Sequence, residues 1–162
     1  ADQVEAVARV IAKLKPSIYL CDPVIGDDPA GLYVPESVAE GIRDHLLPLA
    51  TILTPNRFER EWLNAQSDVT AHIAERITTS LPQGEALVTE LVANGQTHLH
   101  STPRRPGVPH GTGDLLSGLY LAARVQGKPP EQALTKAMAR LDQVIEWSLG
   151  KPGLDFIGRP SR

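Results

Sequence analysis

The sequence predicts an α/β fold, in which a mostly parallel sheet is covered by helices on both faces. Two observations predict it: helical and strand-like segments alternate along the chain, and proline or glycine separates many of them. Alternation of this kind is typical of parallel strands joined by right-handed helical crossovers. In such sheets, ligands bind at the carboxyl ends of the strands. The residues that follow each predicted strand are therefore the first candidates for a site: Asp22, Thr54 and Asn56, Thr89 and Glu90, and the loop before Asp114.

The first part of the chain predicts helix, strand and helix in turn. Apolar residues at helical spacing predict a first helix that ends near Pro16. The segment SIYLCDPV, residues 17–24, predicts a short buried strand, and residues 26–31 predict a loop. A proline suited to the first helical turn opens a second helix, predicted over residues 35–47.

Beyond residue 50 the predicted elements continue the alternation. In chain order they are a strand (51–55), a helix (56–65), a helix (68–81), two strands (86–92 and 96–101) and two long helices after Gly113. Asn56 is a suitable N-cap for its helix, and Glu59 stands three residues on, in the capping-box position.

Composition and charge narrow the class of protein. The 162 residues, 41% of them apolar, suit one packed core, and we expect a single domain over residues 1–162. A formal net charge of −3 gives no broad basic surface, so neither a nucleic-acid nor a membrane partner is expected. The single cysteine, Cys21, cannot form an internal disulfide, which favours the cytoplasm. The first residues lack the apolar core of a signal peptide.

The segment PHGTGDLLSGLYLAARVQG, residues 109–127, places two glycines and an acid before a helical apolar run. Gly111 and Gly113 flank Thr112 and let backbone N–H groups converge, and the helix adds the positive end of its dipole. These features predict an anion site. At its mouth, Asp114 suits a base that accepts a proton from a hydroxyl attacking a bound phosphate. The alternative is that Asp114 only caps the helix and the glycines only form a turn.

Three motifs follow one another along the chain: CDPVIG (residues 21–26), TPNRFE (54–59) and GTGD (111–114). The last motif and its helix resemble the anion-hole signature of the ribokinase-like superfamily of small-molecule kinases. Together, the three motifs resemble the pyridoxal kinase family more specifically. The resemblance extends from about Ala6 to about Trp147. It implies a ribokinase-like, parallel-rich sheet with helices on both faces.

The resemblance implies a catalytic role for the GTGD motif. It makes Asp114 the base that binds the substrate and takes the proton from the 5′-hydroxymethyl group of pyridoxal. It makes Gly111, Thr112 and Gly113 the anion hole around the γ-phosphate transferred from ATP.

The resemblance also assigns five residues to ATP and Mg²⁺. Asp22 and Glu59 match acidic positions that handle ATP and its magnesium, usually through water, and this suits an ion that prefers oxygen ligands. Thr54 and Asn56 fall beside them, and Thr89 matches a position near the phosphates. On the residues alone, other interpretations stay open: Asp22 as a turn residue, Glu59 as a capping partner, and both threonines as plain strand residues.

The chain also departs from the family pattern. It begins after the strand and helices that hold the pyridoxal ring in the family, so the resemblance implies an N-terminally truncated domain. Residues 89–111 form a short segment where the family has a longer hairpin and a nucleotide-covering loop, which implies an incomplete adenine site. The family's homodimer surface depends partly on the front portion, and a homodimer stays an open possibility.

Two hypotheses of different kinds follow. In the first, the chain is the catalytic portion of an ATP-dependent pyridoxal kinase, which makes pyridoxal 5′-phosphate in vitamin B6 salvage. In the second, it is a non-catalytic remnant that keeps the phosphate cradle and some affinity for nucleotide. A related enzyme, hydroxymethylpyrimidine kinase, shares the segment LLPLATILTPN but tends to carry cysteine at the position of Asp114.

Overall fold

The computed structural model describes residues 2–65 and 68–158. The elements in chain order are α1 (Asp2–Leu14), β1 (Leu20–Cys21), β2 (Gly26–Asp27), β3 (Gly31–Leu32), α2 (Glu36–Gly41), β4 (Ile52–Leu53), α3 (Arg57–Leu63), β5 (Glu75–Gln83), β6 (Ala86–Ala93), β7 (Gln96–Pro103), α4 (Thr112–Val125) and α5 (Pro130–Ser148). After α2, the helical path continues through a π-helical turn, Ile42–Leu46, and a 3₁₀ turn, Leu47–Leu49. The helix predicted over residues 35–47 is therefore confirmed, with a change of pitch inside it.

Five strands form one mixed sheet in the order β1-β4-β5-β6-β7. Strand β4 is parallel to both β1 and β5. Two-residue turns join β5 to β6 and β6 to β7, and turns of that length connect antiparallel strands. In the second turn, Asn94 and Gly95 both have positive φ, at 52° and 72°, as a type I′ turn requires. The predicted loop at residues 26–31 contains the small β2–β3 hairpin.

The helix predicted over residues 68–81 is wrong, because residues 75–81 belong to strand β5 and residues 68–74 are turns and irregular chain. Ile73 and Ile77 lie four residues apart, an interval that fits both one face of a helix and the two-residue period of a strand. The Thr78–Ser80 segment has low helix propensity, and its threonines favour strands. In the structure this segment is a strand because it pairs with β4, and Ile77 and Thr78 are almost completely buried there.

The chain divides into two compact units. The first unit comprises Ala1–Leu81 and Thr89–Leu99, and the second comprises Pro82–Val88 and His100–Arg162. The core of the first unit is a cluster of buried side chains: Cys21, Ile25, Ala39, Leu47, Ala50, Leu53, Leu63 and Ile73. In the second unit, α4 and α5 pack against each other. The single domain expected over residues 1–162 stays a prediction.

The long helices of the chain are amphipathic elements of these units. Helix α5, 19 residues long, buries seven residues along its length: Ala133, Leu134, Ala137, Met138, Leu141, Val144 and Ser148. Its remaining faces carry charged residues such as Glu131 and Arg140. Within residues 2–65 and 68–158, no helix combines the length and the apolar character needed to cross a membrane.

Candidate functional site

In the first unit, two predicted site residues follow neighbouring parallel strands. Strands β1 and β4 pair in register, with Cys21 opposite Leu53. Asp22 and Thr54 are the next residues of the two strands, so they emerge at the same edge of the sheet. The Thr54 N–H donates to the carbonyl oxygen of Cys21 at 3.1 Å, which ties the two strand ends together. Thr54 is buried, whereas Asp22 keeps part of its surface exposed.

The capping box predicted at the start of α3 is confirmed, and its two side chains also bond to the loop that follows β1. The Asn56 side chain accepts from the Glu59 N–H at 3.0 Å, and the Glu59 Oε2 accepts from the Asn56 N–H at 2.9 Å. Glu59 Oε1 also accepts from the Ile25 N–H at 2.9 Å and from the Gly26 N–H at 3.5 Å. The Asn56 Nδ2 donates to the Gly26 carbonyl oxygen at 2.8 Å. The two side chains therefore hold the loop that follows β1.

Opposing effects act on the pKa of the Glu59 carboxyl. Burial raises the pKa of Glu59 above its ordinary value, the N–H groups of Asn56, Ile25 and Gly26 lower it, and the charge of Asp22 raises it. Its side chain is only 3% exposed. The effect of Asp22 on this pKa means that the two carboxylates interact electrostatically.

Whether Asp22 and Glu59 could hold magnesium depends on how many of their carboxylate oxygens are already hydrogen-bonded. Magnesium in nucleotide sites takes one or two carboxylates and completes its shell with water and phosphate oxygens. In residues 2–65 and 68–158, no group of three or more His, Cys, Asp or Glu is arranged to hold a metal. Asp22 fits the requirement as a partly exposed carboxylate at a strand end, whereas both oxygens of Glu59 already accept backbone N–H groups.

Two residues other than glycine have strained backbones at this edge of the sheet. Val24, two residues after Asp22, has φ of 42°, and Ser80, near the end of the parallel pairing of β5, has φ of 61°. A positive φ is a genuine outlier for a β-branched residue such as valine. Strain of this kind costs about 1–3 kcal/mol per residue and clusters at functional sites. Val24 therefore lies in the CDPVIG motif after β1, and Ser80 lies within β5 next to the residue that bridges to Asn56.

Sequence reasoning missed Thr79 and Ser80. Thr79 bridges in parallel to Asn56, and its N–H donates to the Pro55 carbonyl oxygen at 3.0 Å. This places Thr79 and Ser80 directly beside the TPN motif. The run of hydroxyl side chains at residues 78–80 could have indicated them, but it was assigned to the helix predicted over residues 68–81.

Thr89 does not follow a strand. It lies in the middle of β6, with its side chain buried, so the expectation that it emerges from a strand end is wrong. The physical reason is that β6 returns antiparallel from β5 and does not end until Ala93. Thr89 therefore lacks the strand-end position that the other candidates share, and its assignment to the phosphates stays a prediction.

In the second unit, the GTGD motif forms the start of α4. Gly111 is the N-cap and has φ of 95°, in the left-handed region that favours glycine. The first helical hydrogen bond runs from the Leu115 N–H to the Gly111 carbonyl oxygen at 3.0 Å. The N–H groups of Thr112, Gly113 and Asp114 precede it and have no partner within the helix. That they converge on an anion stays a prediction.

The alternative that Asp114 is the helix cap is wrong. Asp114 is the third residue of α4 and lies within its first turn, because the helix begins at Thr112 with Gly111 as its N-cap. The Asp114 side chain is exposed, so it is accessible to a ligand at the helix N-terminus. A carboxylate here gains from the helix dipole.

A C-terminal strap, residues 149–158, lies beside the same N-terminus. The Leu154 Cδ1 would lie 3.5 Å from a Cβ at Gly111. The strap is fixed by Asp155, whose N–H donates to the Ser148 Oγ at 2.8 Å and whose carboxylate accepts from the Lys151 Nζ at 2.7 Å. These contacts hold Leu154 against Gly111.

We expect acid to loosen this strap. The hydrogen bond from Lys151, with the N–H groups of Ile157 and Gly158, lowers the pKa of Asp155 to about 2. A carboxyl whose pKa is lowered on folding contributes stability above its unfolded pKa of about 4, and that contribution is lost as the pH falls through the folded pKa. The strap should therefore loosen between pH of about 4 and 2.

Fluorescence of Trp147 measures this loosening, because the strap residue Gly158 lies against the indole ring. A Trp62→Phe background leaves Trp147 as the single tryptophan. The control variant is Asp155→Asn, which should lack the change over this pH range. An equal change in both proteins would show that another group causes it.

The structure thus brings the predicted residues into two groups. Asp22, Thr54, Asn56 and Glu59 gather at one strand edge of the first unit, and the motif at residues 111–114 forms the N-terminus of α4 in the second. The roles of these residues toward ATP, magnesium and substrate stay predictions.

A family model and the sequences of known relatives both match this chain. The sequence matches the phosphomethylpyrimidine kinase family over residues 1–153. It is 36% identical over 154 residues to the pyridoxal kinase PdxY of Granulibacter bethesdensis, across 82% of this chain and 54% of that protein. It is 31% identical over 169 residues to the pyridoxine/pyridoxal/pyridoxamine kinase of Bordetella bronchiseptica, across 89% of this chain and 58% of that protein. The chain spans a little more than half the length of these curated relatives.

Solved structures agree with this similarity. The pyridoxal kinase from Entamoeba histolytica superposes with a TM-score of 0.84 at 24% identity, over 96% of this chain and 62% of that chain. The pyridoxal kinase from Leishmania donovani, solved in complex with ADP and pyridoxine, superposes with a TM-score of 0.77 at 27% identity, over 90% of this chain and 60% of that chain. The predicted fold class, an α/β sheet flanked by helices, and the predicted resemblance to pyridoxal kinases are both confirmed.

Proposed function

Because the chain belongs to the phosphomethylpyrimidine kinase family, we propose that it carries the phosphoryl-transfer residues of an ATP-dependent kinase for vitamin B6. The reaction moves the γ-phosphate of ATP to the 5′-hydroxymethyl group of pyridoxal and gives pyridoxal 5′-phosphate. The observation that carries the proposal is the start of α4, where a left-handed glycine cap precedes the first-turn N–H groups and an accessible carboxylate.

Each residue of the GTGD motif has a chemical role in this proposal. The N–H groups of Thr112, Gly113 and Asp114, with the helix dipole, stabilise the charge of the phosphoryl group during transfer. The Asp114 carboxylate accepts the proton of the substrate hydroxyl as its oxygen bonds to phosphorus and the bond to the β-phosphate oxygen breaks. Gly111 allows the backbone to turn into the helix without a side chain at the anion hole.

The strand edge of the first unit is assigned to the magnesium nucleotide. Magnesium, when bound, neutralises phosphate charge and orients the phosphates. Asp22 would hold it, and Thr54 and Asn56 would lie on the nucleotide side. Thr79 is a further candidate because it lies beside Asn56, and its hydroxyl is a hydrogen-bond donor that suits phosphate oxygens.

Two other functions are alternatives within the proposal. Hydroxymethylpyrimidine phosphorylation is favoured by the description of the matching family. Non-catalytic nucleotide binding is the second alternative. Asp114 supports pyridoxal over hydroxymethylpyrimidine, since the related pyrimidine kinases tend to carry cysteine there. A cytoplasmic location and a homodimer are also proposed, the first from the single cysteine.

The experiment that tests the proposal measures binding and chemistry on the same protein. Thermal stability is titrated with Mg-ATP, and bound ligand should raise the melting temperature by mass action. Product formation is then followed with the chain in excess over ATP, using pyridoxal and hydroxymethylpyrimidine as separate acceptors. We expect stabilisation by Mg-ATP and pyridoxal-dependent formation of pyridoxal 5′-phosphate and ADP.

The possible outcomes separate the three functions. Product from hydroxymethylpyrimidine alone would replace the vitamin B6 proposal with the pyrimidine one. Stabilisation by Mg-ATP without product from either acceptor would leave a nucleotide-binding protein. No stabilisation at millimolar Mg-ATP would overturn all of them.

A further inference from the structure

The loop after β1 is fixed at both ends. On one side, the Cys21 carbonyl oxygen accepts from the Thr54 N–H at 3.1 Å, within the pairing of β1 with β4. On the other side, the Ile25 N–H donates to Glu59 Oε1 at 2.9 Å, and its carbonyl oxygen accepts from the Tyr33 N–H at 2.8 Å. The segment between these anchors is only Asp22, Pro23 and Val24.

Local chemistry leaves a single residue free to make the turn. Pro23 has its φ fixed near −65° by its ring, and a residue before proline is pushed toward extended conformations, which restricts Asp22. Val24 therefore absorbs the remaining change of direction, and its φ of 42° lies where a valine is strained. The Val24 side chain is 49% exposed, so packing does not compensate for this strain.

The Glu59 carboxylate is the group that supports this conformation. It accepts the N–H that directly follows Val24, at Ile25, and with Asn56 it also holds both backbone groups of Gly26. At 3% exposure it lies beneath the loop, and its two oxygens already accept three N–H groups. A carboxylate committed in this way has little capacity left for a metal or its waters.

We propose that Glu59 is a positioning residue, which holds Val24 in its left-handed conformation and thereby fixes the carboxylate of Asp22, and that Glu59 does not handle magnesium itself. The proposal rests on the proposed function, because it takes Asp22 as the magnesium-binding carboxylate. It gives the TPNRFE motif a specific structural role, which is to maintain the geometry of the CDPVIG motif.

The decisive experiment is a rescue by glycine. Glycine adopts positive φ without strain, so Val24→Gly removes the need for support, whereas it restores no charge at residue 59. We expect Glu59→Gln to weaken the binding of Mg-ATP about tenfold, and Val24→Gly in the same chain to restore the affinity to within about threefold of the original protein. A failure of Val24→Gly to restore binding would overturn the positioning role.

Glu61→Gln is the matched control for Glu59→Gln. It makes the same change two residues along α3, at an exposed carboxylate paired with Arg57. Its affinity for Mg-ATP should stay within about twofold of the original protein. A tenfold loss in this control would show that the charge of α3, and not the support of the loop, governs binding.

Amide hydrogen exchange tests the same proposal without any ligand. Glu59→Gln should speed the exchange of the Ile25 and Asn56 N–H groups at least tenfold, since each donates to this carboxylate. Unchanged exchange at both groups would overturn the proposal. If the original chain does not bind Mg-ATP, the proposed function fails, and the exchange measurement still decides whether Glu59 supports the loop.

Glu59→Asp covers the case in which Glu59→Gln does not fold. It keeps the charge but is one methylene too short for the same reach to Ile25. A positioning role predicts faster exchange at Ile25 and weaker binding in this variant, relieved by Val24→Gly. Full retention of binding by Glu59→Asp, with fast exchange at Ile25, would show that the charge itself is what magnesium requires.

Discussion

Replacing Asp114 by asparagine is expected to lower the rate of pyridoxal 5′-phosphate formation roughly 10²- to 10⁴-fold, the usual contribution of a general base. The change removes the proton acceptor and keeps the size and the helical position of the side chain. The expected loss corresponds to about 3 to 5 kcal/mol of transition-state stabilisation. Single-turnover measurement of product at saturating Mg-ATP and pyridoxal would give this ratio.

The same substitution should not weaken nucleotide binding. Asp114 is exposed within the first turn of α4, beside the N–H groups proposed for the phosphates. Its charge repels a phosphate there, so the affinity for Mg-ATP should stay equal or increase when the charge is removed. A loss confined to the rate identifies a group that acts in the transition state. Unchanged turnover would refute the assignment of the base.

A matched control separates the base from the general effect of a carboxylate at a helix start. Glu131→Gln removes an acidic residue from the first turn of α5, the helix that packs against α4. It lies outside the residues proposed for catalysis, so both the rate and the affinity for Mg-ATP should change by less than about twofold. A large loss of rate in Glu131→Gln would show that removing a first-turn carboxylate lowers the rate by destabilising a helix, and not by removing a catalytic base.

The sequence predicted the elements whose signals are local. The capping box of α3 is readable from Asn56 and Glu59, and the strands predicted over residues 86–92 and 96–101 are confirmed as β6 and β7. The start of α4 was recognisable from its glycines. The sequence did not show that Asp114 lies inside the helix, because the position of the cap depends on the φ of Gly111.

The part that could not be predicted depends on pairing between distant segments. Residues 68–81 fit a helix and a strand equally by spacing, and the neighbouring strand β4 decides between them. The strain at Val24 is invisible in the sequence, since it results from anchors at Cys21 and Ile25 on either side of a proline. The sequence therefore pointed to Asp22 and Glu59 but did not show the hydrogen bonds by which Glu59 holds the loop after β1.

The same loop makes Gly26 a position where adding a single methyl group should lower the stability of the protein. A Cβ at Gly26 would lie 2.3 Å from the Gly31 carbonyl oxygen and 2.6 Å from the Phe58 Cε1. The first neighbour is backbone of the β2–β3 hairpin, which cannot move without displacing the hairpin, and the second is the Phe58 ring on α3. Gly26→Ala should therefore destabilise the protein by about 3 kcal/mol, the upper part of the usual range for overpacking.

Thermal unfolding measures this effect against a control of the same chemistry. A loss of about 3 kcal/mol corresponds to a fall in melting temperature of roughly 6–12 °C for a chain of this size. Gly118→Ala adds the same methyl group on α4, where a Cβ meets nothing within 4 Å. That variant should gain about 0.5–1 kcal/mol, because alanine favours a helix interior over glycine. If both variants gained stability, the close approach of the hairpin to α3 would be refuted, and with it the rigid loop that Glu59 is proposed to support.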